Sequence, residues 1–509
     1  MVGPPFETAS PEGLAAPPMT SRSPPRPAAP LPALIDTILQ PLAAFFRLEA
    51  ASGILLLGCA ALALAWANLA PASYRATFKA LLSVRLAGAG LEFTVAQLVN
   101  DGLMAVFFFV VGMEIKHELT VGELKTLRQA LLPAAAALGG MLLPAAIFLG
   151  LNAGSPGAPG FGIPVATDIA FSIGVLTLLR RRVPRALFVF VTALAIFDDL
   201  GGIVVIAVFY GAGVNLAWLA ATAVVLAGLF LLSRAQVHSA LAWIAAGTLL
   251  WLALHASGIH PSISGALLGL FIPARARRRA GNAIRNLSAQ ARPAPDGDEL
   301  RDEVAIEEIE GQLQEAEPPL ARFVRVLHPW VAFGVMPLFA LANSGVELLA
   351  LHTSGPGEKV ALGTALSLFL GKQAGIFAFT VAAVRAGLAS LPSGTTLPKL
   401  WGASLVAGIG FTVSLFIAGL AYPDAPALLD EAKLGILGGS FLAGAVGALV
   451  LRCTHPVDVG PLPHPSLGRR SGEDGVSGER RCSSTTSSSD PDSAEASAGS
   501  GSSRRDTAS

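Results

Sequence analysis

Charge is what this chain has least of. Only 14% of its 509 residues are Asp, Glu, Lys or Arg, against 53% apolar. That balance, with a mean hydropathy of +0.61 and repeated apolar runs about 20 residues long, excludes an ordinary soluble domain. Net charge is zero, so no nucleic-acid partner is implied. The three cysteines, Cys59, Cys453 and Cys482, have no metal-ligand spacing and make no disulfide framework. No cofactor is expected. The first forty residues are rich in proline and lack a basic start running into a cleavable apolar stretch. They are read as a disordered cytoplasmic extension and not as a signal peptide.

What the chain has is a series of apolar spans. Residues 1–44 form the N-terminal extension, 45–452 a transmembrane domain, and 453–509 a disordered Ser/Gly-rich tail. The fold class is an all-α integral membrane protein of about twelve spans. They fall near residues 51–69, 100–118, 131–151, 162–179, 186–210, 216–232, 240–255, 262–272, 328–343, 362–384, 401–421 and 434–451. Between the first two, residues 83–87 and 91–95 flank Gly88-Ala89-Gly90 and predict a short hairpin outside the membrane. A polar stretch over 273–319 begins with an arginine cluster and continues into an acidic run at 296–310, read as a surface helix. Cations collect in the even-to-odd loops, at Lys116, Lys125 and Arg128 and again at Arg180, Arg181, Arg182 and Arg185. The positive-inside rule then places both termini in the cytoplasm.

The sharpest signal lies in the fifth span. Asp198 and Asp199 sit side by side within an apolar run, followed by Gly201-Gly202. An ionised side chain at membrane depth is costly, so it is a functional candidate by default. The other intramembrane polar residues are few: Asp101, Thr167 and Asp168, Lys372, and Thr412 with Ser414. The fourth and eleventh spans each have an interrupted centre, GIPVATD from Gly162 and GIGFTVS from Gly408. Interrupted segments in corresponding positions of two halves point to an inverted-repeat transporter, here helices 3–5 and 10–12, with its site where the broken helices cross. Asp168 is placed to neutralise the positive helix ends there and Lys372 the negative ones. Adjacent helix residues point about 100° apart. One aspartate is therefore expected to line a cavity and the other to reach a neighbour, for which Lys372 is the partner. Burial and a nearby ammonium act oppositely on a carboxylate's proton affinity, which lets a cation and protons compete for one site. Oxygen ligands suit a hard cation such as sodium.

Several stretches in order, FFRLEAASGILLL from Phe45, NDGLMAVFFFVVGMEIKHEL from Asn100, IPVATDIAFSIG from Ile163, IFDDLGGI from Ile196, HPSISG from His260, LHPWVAFGVMPLFALANSGV from Leu327, LGKQAGI from Leu370 and GIGFTVSLFIAGLAY from Gly408, resemble the NhaA-type sodium/proton antiporters. The resemblance covers about residues 45–452. It implies exchange of cytoplasmic Na⁺ or Li⁺ for external H⁺ in a bacterial-type inner membrane. It makes Asp199 the principal cation and proton site, with Asp198 beside it interacting with Lys372. Asp168 and Thr167 stand at the helix crossing, and Asp101 is an acid on the periplasmic side. Glu114, Glu118, His328 and His260 are candidates for pH response. It also implies a homodimer joined through the hairpin after the first span. Where some members carry a carboxylate and a histidine shortly before the matched His328, this chain has Val324 and Arg325. Two other readings remain on the residues alone. A sodium-coupled solute symporter would need a roomier set of polar donors. An intramembrane aspartyl enzyme would need two carboxylates on separate helices facing one water.

Overall fold

A computed structural model describes residues 51–86, 89–122, 124–211, 213, 215–237, 239–274, 318–348 and 356–456. The expected N-terminal extension, the arginine cluster, the acidic surface helix and nearly all of the tail lie outside the described residues. Helix α1 (Ala51–Leu69) is followed by a short helix α2 (Pro71–Lys79), entered at a proline whose missing N–H costs nothing there. The expected hairpin is present, with β1 (Leu81–Leu86) antiparallel to β2 (Ala89–Thr94) and Leu86 opposite Ala89. The following spans are α3 (Val95–Thr120), α4 (Leu127–Asn152), α6 (Arg185–Phe209), α7 (Leu216–Arg234), α8 (Ala240–Ser257), α10 (Pro319–Asn343), α11 (Gly357–Arg385) and α14 (Pro426–Cys453). Shorter helices are α5 (Ile169–Leu178), α9 (Ile263–Phe271), α12 (Leu397–Val406) and α13 (Phe411–Ala421).

The count of twelve needs qualification. Among the described residues nine helices are long and apolar enough to cross a membrane, and a tenth span is the α12–α13 pair, bent by 47°. The fourth and eighth expected spans are present as the short helices α5 and α9. Several ends also move outward. Span nine starts at Pro319, and α14 runs through Cys453, a residue the sequence reading gives to the tail. Flanking polar residues had hidden these turns, which continue the helix beyond the apolar stretch.

Packing divides the spans into two sets. Helix α4 packs on α6 and α11, while α14 packs on α11, α12 and α13. In the other set α3 packs on α9, α1 on α10, and α8 on α7 and α9. In a bilayer no hydrophobic gain drives apolar helices together, so close approach through small residues supplies the packing. Gly139 and Gly140 of α4 face Gly375 and Ile376 of α11, and a Cβ added to Gly140 would stand 2.8 Å from Ile376 Cγ1. In the other set, a Cβ on Gly269 of α9 would stand 2.6 Å from the Phe109 carbonyl of α3. Both crossings exist only because there is no side chain.

Candidate ion-binding site

The interrupted fourth span explains itself residue by residue. A tight 3₁₀ turn, Ala158–Gly162, leads into a non-helical stretch containing Pro164. That residue has no N–H to donate and a fixed φ. The chain stays out of helix until Asp168, whose carboxylate accepts from Phe171 N at 3.1 Å and caps α5. Between α12 and α13 the break falls at Gly408, Ile409 and Gly410. The two breaks touch. Asp168 N donates to Ile409 O at 2.7 Å and Ser414 Oγ to Ile163 O at 2.6 Å, and Thr167 Oγ1 lies 2.9 Å from Ala407 O. Ser172 of α5 adds a bond to Val406 O at 3.0 Å. Backbone groups freed by the breaks are thus satisfied within protein, as irregular backbone at membrane depth requires.

Charges compensate the ends. Besides capping α5, Asp168 accepts from Thr412 N at 3.1 Å and Thr412 Oγ1 at 2.6 Å, so one buried carboxylate serves the N-termini of both α5 and α13. Lys372, fully buried, donates to the carbonyl of Val165 at the end of the other half-segment. Its Nζ also lies 3.0 Å from Asp198 Oδ2, which accepts from Thr167 Oγ1 at 2.6 Å. A π-helical turn, Ser367–Lys372, ends on the residue that bears this ammonium in α11. Such extra-residue turns recur where a helix must present a functional group.

The two aspartates part company here. Asp198 points to Lys372 and Thr167. Asp199, 2% exposed, has neither carboxylate oxygen in a hydrogen bond. It lies at the buried end of a cavity of about 760 Å³, with Thr167, Asp168 and Thr412 also on its wall. The lining reaches Glu114, His328 and Trp330, and Trp330 is 72% exposed. Glu114 Oε1 stands 3.9 Å from His328 Nε2. On the next turn of α3, Glu118 Oε1 is 3.7 Å from His117 Nδ1. Asp101 and His260 are elsewhere, paired at 3.7 Å near the start of α3. The His260 ring also bonds Ser262 Oγ at 2.8 Å. Burial, and then His255 nearby, push this imidazole down to about 4, so it carries no positive charge at neutral pH.

Comparison with known sequences closes the question of kinship. The profile of the family described as Na⁺/H⁺ antiporter 1 matches residues 43–451. This chain belongs to that family. The Na(+)/H(+) antiporter NhaA of Anaeromyxobacter sp. (strain Fw109-5) is 57% identical over 459 residues, covering 89% of this chain and 99% of that one. The Na(+)/H(+) antiporter NhaA 1 of Myxococcus xanthus (strain DK1622) is 51% identical over 443 residues, covering 86% and 98%. These NhaA relatives are named as antiporters, not enzymes, and NhaA-family membership fits the multi-pass helical architecture. The geometry also weakens the aspartyl-enzyme reading, since three donors occupy Asp168 where a dyad would need it free. Sequence reasoning missed Ser172 and the carbonyls of Val165, Val406 and Ala407. A serine four residues after the capping aspartate could have been noticed. A carbonyl carries no signature in sequence.

Proposed function

We propose that this protein exchanges cytoplasmic Na⁺ or Li⁺ for external H⁺ across a bacterial plasma membrane, with Asp199 as the group both ions share. One observation carries the reading: a buried carboxylate without a partner, at the closed end of a cavity with an exposed mouth. An isolated buried charge is expensive, and a carboxylate can be neutralised by a proton or by a bound cation. It cannot hold both, and that exclusion is what an antiporter needs. Asp198 is held by Lys372 and Thr167 and orients the site. Thr167, Asp168 and Thr412 supply further oxygens on the cavity wall.

Glu114 and His328 line the cavity toward its mouth and Glu118 lies one turn further along α3, which suits a pH response acting on ion entry. Asp101 with His260 would serve the opposite, external end. The positive loops support cytoplasmic termini. The hairpin β1–β2, standing apart from the spans, is the natural dimer contact, and lipid would cover the apolar outer faces. The test is sodium-induced collapse of an imposed pH gradient in inside-out vesicles from pH 6 to 9, comparing wild type with Asp199→Asn. Exchange for Na⁺ and Li⁺ in wild type and none in the variant is expected. Equal activity in both would remove Asp199 from the site, and an inert folded wild type would remove the antiport reading.

A further inference from the structure

Tyrosine is among the scarcest residues of this chain, three in 509, and two of the three converge on one short segment. Tyr210 closes α6; its phenol donates to Pro159 O at 2.7 Å and accepts from Gly162 N at 3.2 Å. Tyr422 closes α13 and donates to Gly157 O at 2.7 Å. Both acceptor segments belong to the 3₁₀ turn that leads into the interrupted fourth span, Ala158–Gly162, and the residue before it. The backbone there is not α-helical, and at membrane depth its polar groups need partners from protein.

The fit on both sides is close. A Cβ added to Gly162 would stand 2.6 Å from Tyr210 Oη, and one added to Gly160 would collide with Tyr422 Oη. Phe161 stacks on Tyr210 at 6.2 Å and meets Phe209 edge-on at 5.0 Å. Three points then join α6 to this segment in register: Gly202 beside Ala166, Val205 beside Gly162, and Tyr210 at Pro159. The helices bearing the phenols also bear the site. Asp198 and Asp199 lie on α6, and Thr412 on α13. With a rise of about 1.5 Å per residue, each phenol sits roughly 15 Å along its helix from those groups.

We propose that Tyr210 and Tyr422 are positioning residues of the exchange site. They fasten the turn that leads into the interrupted span to the two helices that carry Asp199 and Thr412, so that the crossing moves as one block during transport. The inference rests on the proposed exchange activity. A block of this kind leaves ion access to open between the two helix sets, where the cavity already lies, and not by release of the fourth span. Loosening the clamp lowers the fraction of molecules with the crossing in register. Apparent affinity falls by that fraction, and since one site serves both faces, it falls equally from each.

The experiment compares wild type, Tyr210→Phe, Tyr422→Phe and the double variant in proteoliposomes, with Na⁺ supplied first from one face and then from the other. Tyr74→Phe is the control. Its single phenol hydrogen also goes to backbone, lying between Leu341 O at 2.9 Å and Ala342 O at 2.8 Å, but in the other helix set. The expected result is a rise in the KM for Na⁺ of up to about 3-fold for Tyr422→Phe, which loses one hydrogen bond, up to about 10-fold for Tyr210→Phe, which loses two, and up to about 30-fold for the double variant, which loses all three. The rise is the same from both faces, the maximal rate is little changed, and Tyr74→Phe moves neither KM. Tyr210→Phe, whose ring is half-buried, carries the test if Tyr422→Phe lowers the yield. Shifts of opposite sign on the two faces would make the clamp a gate and overturn the proposal. So would a loss of maximal rate with both KM values intact, or an equal KM rise in Tyr74→Phe. A wild type that exchanges no Na⁺ is a distinct failure, that of the exchange function itself.

Discussion

Helices α6 and α7 follow one another in the chain and are about equally apolar, yet they live in different solvents. Of the apolar 18-residue stretch of α6, 61% is buried inside the protein; of that of α7, 11%. The bilayer accepts an apolar surface as readily as a protein core does, so hydropathy alone cannot separate the two environments. What separates them is the exceptions. Helix α6 carries two carboxylates and a Gly-Gly step, all pointing inward, whereas α7 carries no Asp or Glu, and a Cβ on its Gly228 would meet nothing within 4 Å. Function therefore sits where the apolar pattern is broken.

Substitutions that exchange the two environments test this contrast. The largest effect is expected from Asp199→Asn, which keeps the shape of α6 and removes its unpartnered carboxyl group. Exchange should vanish in vesicles while the protein still reaches the membrane in normal amount. Next comes Lys372→Met. It strands Asp198 without its ammonium, and breaking a buried pair from one side costs about 3–5 kcal/mol. Thermal unfolding in detergent should show a lowered midpoint, and adding Asp198→Asn to the same chain should recover most of it. If the double variant is no better than the single one, the pair is not what holds α11 to α6.

Smaller effects separate the two helices directly. Ile206 of α6 is fully buried and Leu231 of α7 is 65% exposed. Ile206→Ala should cost about 2–5 kcal/mol, and Leu231→Ala about 0.5 kcal/mol or less; equal costs would dissolve the distinction between core and lipid-facing helix. The smallest effect lies outside both helices, at His260. Its folded-state pKa of about 4 lies below the usual value of 6.5, so the unfolded chain binds more protons in between. The stability it contributes is complete above about pH 6.5 and is lost as pH falls toward 4. The melting temperature of wild type should fall over that window, and His260→Gln should flatten the fall.

Much of the fold was legible because the bilayer imposes length and apolarity on every span, and turns announce themselves by glycine, proline and charge. A hairpin could be read from Gly88-Ala89-Gly90, although its strands lie earlier than the expected 83–87 and 91–95 and take Ala89 and Gly90 into β2, and the interruptions could be read from GIPVATD and GIGFTVS. Helix ends were read short at Pro319 and Cys453, where polar residues continue a helix past the apolar stretch. The eighth span was already short in the sequence, at 262–272, and is the helix Ile263–Phe271, whereas the fourth, read over 162–179, is α-helical only over Ile169–Leu178 because Pro164 and the Asp168 cap delay the helix. The Asp198–Lys372 contact could be anticipated from the scarcity of intramembrane charge.

The sequence by itself determined which groups are unusual: two adjacent aspartates, one lysine in mid-span, and two interrupted helices. Each is expensive in hydrocarbon, so its presence in the sequence is already a physical statement. Only the tertiary structure decided which aspartate is compensated and which is left free. That choice depends on where Thr167 and Lys372 arrive from distant parts of the chain, and on backbone carbonyls whose directions are fixed by packing and not by residue type. The convergence of Tyr210 and Tyr422 on residues 157–162 is of the same kind, because a phenol's partner is chosen by the backbone that lies within its reach.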